Sequence, residues 1–505
     1  MRSGTVAVLL GWLLVFLGAA LLVPVAVSIY FKDGSYPFFI LSSLITILLG
    51  VALAGLFRAD REIGNREGFA VVALGWIAAA GLGALPFYLS GAVPSYLDAY
   101  FEAMSGFTTT GSTILREVEP LGPSLLFWRA LTQWLGGMGI IVLSLAILPV
   151  LGIGGMQLFQ AEMPGPTKDR LSPRIQDTAR ILWGVYVLLT LAETVLLRLG
   201  GMGLFDAVCH SFATMATGGF STRTASVAAF HSAWVDGVVT VFMVLAGINF
   251  TLHHRWLTGH LRPVWRNEEL RFYLGVGLAA TAICTLVNVG SGTYADWGAS
   301  FRYGAFQSWS ILTTTGFGTA DFDRWAPVCR LLLVTLMFLG GMAGSTGGGI
   351  KHVRVLLFWK FTRVQVRRLI HPRSVEVIKL DGRPVPDDVM KGVLGFLALY
   401  FAVFVAASLV VTWTGVDLVT GTTAVVATLN NIGPGLAGVG PLANFADLPA
   451  LAKFVLVICM VGGRLELYTL AVLLVPGYWK GLRAPRFRWR RPPGPAEGGR
   501  RAAAP

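Results

Sequence analysis

Four stretches of the chain share one pattern: Leu97-DAYFEAMSGFTTTGST-Ile114, Leu204-FDAVCHSFATMATGGFS-Thr222, Phe301-RYGAFQSWSILTTTGFGT-Ala320 and Val416-DLVTGTTAVVATLNNIGPG-Leu436. Each begins near a turn or an acidic residue and runs through a helix-length segment of mixed composition. Each then breaks into Thr- and Gly-rich sequence that cannot continue a helix. Taking Gly111, Gly218, Gly316 and Gly433 as equivalent positions gives intervals of 107, 98 and 117 residues. Every interval holds two long apolar segments and one such loop. The repeating unit is therefore helix, re-entrant loop, helix, used four times. A loop that enters and leaves on one face adds no crossing. All four units then point the same way and can ring a common axis, unlike the inverted repeats of many secondary transporters.

Around these loops lie apolar segments long enough to span a bilayer, which takes about 20 residues: 7–28, 38–57, 69–89, 125–151, 181–199, 234–252, 272–289, 331–357, 393–413 and 450–474. Ten crossings predict an all-α integral membrane fold, with four pseudo-fourfold units behind an N-terminal transmembrane hairpin. The chain divides into the hairpin at 1–66, pore repeats at 67–165, 166–265, 266–375 and 376–478, and a basic tail at 479–505. The apolar start of the chain is too long for a signal-peptide core and reads as a retained first transmembrane helix.

Composition agrees. Hydrophobic residues make up 54% of the 505 and charged residues only 13%, with a mean hydropathy of +0.67. A soluble domain carries roughly 25% charged residues, so a soluble enzyme is excluded. The net charge of +13 raises the question of nucleic acid. However, the basic residues sit in short runs between apolar segments, at 58–66, 168–180, 253–271, 351–391 and the C-terminal tail. The alternate connections hold few positive charges. This is the positive-inside pattern. It makes the lipid bilayer the partner rather than nucleic acid, and it puts both termini in the cytoplasm, with the chain in the cell (inner) membrane. The tail at 480–491 reads as a solvated cytoplasmic segment that could also lie on anionic headgroups. The four cysteines are scattered in or beside apolar segments without metal-ligand spacing and read as packing residues.

Irregular backbone is tolerated at membrane depth only where it is buried in protein or lines water. Four such loops around an axis therefore line a pore. Carbonyl oxygens can replace the hydration shell of potassium, and aiming successive carbonyls inward needs backbone that glycine adopts cheaply. The half-helices before the loops direct their negative C-terminal ends at the cation path. The expected filter is Thr109, Thr110 and Gly111; Ala216, Thr217 and Gly218; Thr314, Thr315 and Gly316; and Asn431, Ile432 and Gly433. The bound ion is potassium, and no organic cofactor is expected.

The four loops, the leading helical pair and the segment Gly340-GMAGSTGG-Gly349 resemble the Trk/Ktr/HKT cation transporters over nearly the whole chain. The leading pair resembles the Trk branch, with its TrkH-type subunits, more than the shorter Ktr branch. The resemblance implies a homodimer with one pore per protomer, and a cytosolic ring of nucleotide-binding regulatory subunits of the Trk A kind. In the plant branch a serine at the first filter glycine goes with sodium transport, whereas this chain has Gly111. The fourth loop departs from threonine-rich chemistry at Asn430-Asn431-Ile432, as the family's last repeat does.

Six of the ten residues from Gly340 to Gly349 are glycine. Each interior glycine costs a helix about 1 kcal/mol relative to alanine, so a continuous span there is improbable. Gly344, Ser345, Thr346, Gly347, Gly348 and Gly349 are expected to form an intramembrane gate loop below the filter. Arg464 lies at membrane depth, where an ionisable residue is a functional candidate. The resemblance puts it facing the pore; pairing with Glu466 or with backbone carbonyls is the structural alternative. Glu193 and Arg198, which share one span and could pair across helices, read as structural residues, and His253 and His254 as interfacial ones. Gly344-STGGGI-Lys351 only loosely resembles a phosphate loop, since Ile350 separates glycine from lysine. No catalytic motif is present. The function expected is potassium uptake gated from the cytoplasm, with a sodium or mixed-cation transporter of the same fold as the rival and an intramembrane enzyme as the distant one.

Overall fold

The computed structural model describes residues 3–58, 65–150, 175–374 and 376–480. The basic residues expected at 59–64, 168–174 and 481–491, the end of the segment 125–151 and the boundary between the first two repeats lie outside the described residues. Within them the regular structure is helical, apart from one two-residue antiparallel pairing, Lys379–Leu380 with Arg383–Pro384. Six helices are long and apolar enough to cross a membrane: Ser3–Phe31, Tyr36–Leu56, Arg66–Leu89, Arg180–Leu199, Glu268–Gly290 and Asp387–Trp413. Each overlaps a segment expected from hydropathy. A further helix runs from Pro123 to Val150.

Three expected spans are broken instead. The segment 331–357 stops as a helix at Leu339 and resumes at His352, with the glycine segment between, as its composition predicts. The segment 234–252 turns by 103° between Ala233–Ala246 and Phe250–Leu257, and 450–474 turns by 115° between Ala450–Arg464 and Leu467–Leu474. Hydropathy is blind to direction, so an apolar run continues through a bend unseen. The local causes are clear. Asn249 caps the second half of the first break, its Oδ1 accepting from Thr251 N at 2.8 Å. Glu466 takes a left-handed φ of 59°, which no helix interior accommodates.

The leading hairpin packs through small residues. A Cβ on Gly11 would stand 2.6 Å from Gly50 O, and one on Gly50 2.7 Å from Gly11 O. Ser43 Oγ donates to Gly18 O across the same seam at 2.7 Å. This close backbone approach is how apolar helices associate where the solvent is equally apolar. The hairpin's turn is held to the next unit, because Asp33 Oδ2 accepts from Ser124 N at 2.8 Å.

The four loop-bearing regions are tied in a ring by contacts close to the loops. Val118 N donates to Thr224 Oγ1 at 2.8 Å, joining the first to the second. Arg302 Nε meets Asp236 Oδ2 at 2.7 Å, joining the second to the third. Ala437 N donates to Asp323 Oδ2 at 3.0 Å, joining the third to the fourth. Lys453 Nζ meets Asp98 Oδ1 at 2.7 Å, with the lysine buried, and closes the fourth on the first.

Gly11→Leu should force the hairpin apart. Overpacking of this kind costs about 1–3 kcal/mol, so the melting temperature in detergent should fall, while ion selectivity, set elsewhere, should not move.

Candidate functional site

Each loop follows a short helix: Tyr96–Phe107, Leu204–Met215, Trp297–Leu312 and Leu418–Leu429. Ser95, Asp296 and Asp417 start three of them by accepting a backbone N–H in the first turn. The helices end in one repeated way. Thr109, Thr217, Thr314 and Asn431 are left-handed, with φ of 53°, 54°, 61° and 55°. Their N–H groups return to carbonyls three residues back, and those of the following residues to carbonyls five back, as Thr110 N does to Ser105 O at 2.8 Å and Gly218 N to Ala213 O at 2.8 Å. Two positions on, Gly111, Gly219, Gly316 and Gly433 are left-handed again, with φ of 83°, 76°, 81° and 104°.

This corrects the register of the second loop. Its equivalents of Thr109, Thr110 and Gly111 are Thr217, Gly218 and Gly219, not Ala216, Thr217 and Gly218. Ala216 ends the helix, its N–H still bonded to Phe212 O at 3.2 Å. With two adjacent glycines, glycine alone could not set the alignment.

In this register the four loops close on one another through backbone. A Cβ on Gly111 would stand 2.2 Å from Gly218 O, one on Gly219 2.0 Å from Thr315 O, one on Gly316 1.8 Å from Ile432 O, and one on Gly433 3.0 Å from Thr110 O. Each glycine faces the carbonyl just before the next loop's glycine, and the fourth returns to the first. Below, at the first left-handed position, stand three threonines and an asparagine. Thr109 Oγ1 and Asn431 Oδ1 are buried without a hydrogen-bond partner. Buried oxygens left so are costly unless something occupies them, and a desolvated cation would. Among the described residues no group of three His, Cys, Asp or Glu could hold a metal.

Side chains outside the loops hold them. Arg129 and Glu102, 2% and 1% exposed, pair at 2.8 Å. Glu102 also accepts from Thr113 Oγ1 and Ile114 N at 3.0 Å, while Arg129 Nη1 donates to Ser221 O at 3.0 Å. One ion pair thus fixes the outer arms of the first two loops. Gln133 brackets the second, donating to Gly218 O at 2.6 Å and accepting from Phe220 N at 3.0 Å. Sequence reasoning missed all three. An arginine within an apolar segment was the available signal for Arg129, the same signal that marked Arg464.

The segment 340–349 lies against the inner ends of the loops. Gly348 N donates to Thr314 Oγ1 at 2.7 Å, and Thr346 Oγ1 donates to Met215 O at 3.0 Å. A Cβ on Gly348 would stand 2.2 Å from Asn430 O, so the segment touches the second, third and fourth loop regions. Ser345 Oγ donates to Met342 O at 2.7 Å and accepts from Gly347 N at 3.2 Å; Gly344 O accepts from Phe250 N at 3.1 Å. Gly349 is left-handed, with φ of 79°. Arg464, 4% exposed, donates to Thr346 O at 2.7 Å and to Gly136 O at 3.0 Å. Glu466 does not pair with it and instead meets Arg354.

A match to the TrkH family of cation transport proteins spans residues 36–480. The chain belongs to this family. It is 42% identical to the Trk system potassium uptake protein TrkH of Escherichia coli K12, over 94% of this chain and 98% of that one. It is 36% identical to the Trk system potassium uptake protein TrkG of the same organism, over 93% and 97%. The crystal structure of the potassium transporter TrkH from Vibrio parahaemolyticus superposes with a TM-score of 0.87 and 38% identity, covering 95% of this chain and all of that one.

The other residues singled out from the sequence of this TrkH-family chain fall as follows. Glu193 and Arg198 do not pair: both Glu193 oxygens are buried without a partner, and Arg198 reaches Met202 O. His253 is not interfacial but 4% exposed, its Nε2 2.8 Å from Leu245 O at the 103° bend. All four cysteines are buried with free thiols. Arg129→Met should leave Glu102 as an unpaired buried charge, a loss of about 3–5 kcal/mol. Most of the protein should then be lost from the membrane fraction, and Glu102→Gln in the same chain should restore part of it.

Proposed function

We propose that this TrkH-family chain is a potassium uptake subunit of the cell inner membrane, passing potassium down its electrochemical gradient through a filter formed by the four loops. The observation that carries the reading is the closed ring in which each left-handed glycine abuts the next loop's carbonyl. Oxygen-lined constrictions built from such backbone can replace the hydration shell of potassium. The filter is Thr109–Gly111, Thr217–Gly219, Thr314–Gly316 and Asn431–Gly433. The ten-crossing layout, with four pore repeats and cytoplasmic termini, belongs to the same reading. So do assembly as a homodimer and control by a cytosolic nucleotide-binding ring. The family is one of transport proteins, which leaves the enzyme alternative without footing.

Segment 340–349 and Arg464 form the gate. The glycine-rich segment spans the inner ends of three loop regions, and the guanidinium bonds it to Gly136 O. A fixed positive charge in a cation path raises the barrier to conduction.

Growth of potassium-uptake-deficient cells on low potassium tests the function: rescue is expected, and rescue only under sodium limitation would favour a sodium transporter. Gly219→Ala forces a side chain into left-handed backbone against Thr315 O. Strain of about 1–3 kcal/mol there should lower the potassium-to-sodium permeability ratio by a factor of roughly five to a hundred. Ala216→Ser, one step outside the corrected filter, should leave that ratio near the parent's. Arg464→Ala, and deletion of Ala343–Gly347, should each raise potassium flux in liposomes with little change in selectivity.

A further inference from the structure

We propose that Glu269 is the latch that holds the gate segment in place, and that the short hairpin at 379–384 is the lever that works it. This rests on the gate reading above. Glu269 is the second residue of the helix Glu268–Gly290 and only 7% exposed. Its Oε1 accepts two backbone N–H groups, from Ala343 at 2.8 Å inside the gate segment and from Val353 at 3.1 Å in the first turn of the helix that leaves it. One carboxylate oxygen therefore spans the segment's entry and exit. Swinging the segment away from the filter breaks at least one of them and leaves buried polar groups unsatisfied.

The residues just before Glu269 are gripped from outside the gate. Asp381 accepts from Glu268 N at 2.7 Å and from Asn267 Nδ2 at 2.9 Å. Lys360 Nζ joins the Glu268 carboxylate to Lys379 O. Asp381 and Gly382, left-handed at φ of 49° and 78°, form the tight turn between the two short strands. The turn thus caps the N-terminus of the helix that carries Glu269. The surrounding run, 351–391, is the one whose positive charge places it in the cytoplasm. A displacement of the hairpin from that side is passed to Glu269 through one rigid helix end, and Leu380 of the hairpin shares a buried apolar cluster with Ala343 and Val353, the two residues that Glu269 holds.

The test is rubidium uptake into liposomes holding the purified full-length protein alone. Glu269→Ala should raise flux several-fold at an unchanged potassium-to-sodium ratio. Glu269→Gln, which keeps an accepting oxygen, should raise it less. Asp381→Ala should act in the same direction and add nothing to Glu269→Ala, since both release one element. A residue that only supported the fold would lower flux and melting temperature together. Parental flux in folded Glu269→Ala and Glu269→Gln, beside raised flux on deleting Ala343–Gly347, overturns the latch and leaves the gate standing. Parental flux in the deletion as well overturns the gate reading itself. Should Glu269→Ala fail to fold, parental flux in both Glu269→Gln and Asp381→Ala overturns the proposal. Additive effects of Asp381→Ala and Glu269→Ala overturn the lever.

Discussion

At Gly111, Gly219 and Gly316 a main-chain carbonyl from the neighbouring loop occupies the place a side chain would need, and at Gly433 one crowds it at 3.0 Å. That constraint makes the spacing of the ring a property of backbone alone. No rotamer can adjust it, and no larger residue can be accommodated by repacking. Everything around the ring then has to hold four irregular strands at contact distance. Helices do so from below, where each short helix ends in the same pair of returning N–H groups. Ion pairs and backbone-to-side-chain bonds link neighbouring regions around the whole circuit. The Arg129–Glu102 pair is the most committed of these, because both charges are removed from solvent. Breaking such a pair costs far more than the pair contributes on its own. It acts less as a source of stability than as a fixed point for the first two loops.

Much of this was legible in the sequence, and the gaps have physical causes. Repetition of a helix-length segment ending in Thr and Gly identified the loops. In three of them the first glycine after the helix end has no glycine beside it, so the residue type also gave the register. In the second, Gly218 and Gly219 are adjacent, and it takes the left-handed Thr217 with its hydrogen bond to Thr214 O, and the left-handed Gly219, to decide between them. The break at 340–349 was visible because glycine announces itself in composition. The bends after Ala246 and Arg464 were not, since each turns within three residues and the few polar residues there, Asn249 in one and Arg464 and Glu466 in the other, leave the averaged hydropathy high. Gln133 carried no signal at all, as a single amide in an apolar segment does not reveal that it will bracket a neighbouring strand. Glu269 was hidden for another reason: at the start of a helix an acidic residue is ordinary, and nothing local says that its carboxylate points at a segment some 70 residues away.

Arg464 shows how the two halves of the site depend on one another. A guanidinium carries five N–H donors and no acceptor, and here it is buried with carbonyls on two sides and its Nε unpartnered. One carbonyl, from Gly136, belongs to a helix of the first repeat. The other, from Thr346, belongs to the gate segment. The buried charge is therefore half-solvated by the very element proposed to move. If the segment leaves, Arg464 loses one of its two carbonyls and must either follow it or gain water. Both outcomes clear positive charge from the axis or screen it at the moment the segment withdraws. On the proposed gating, gate and guanidinium switch as one two-state unit, and the charge opposes conduction only while the loop that it binds is in place.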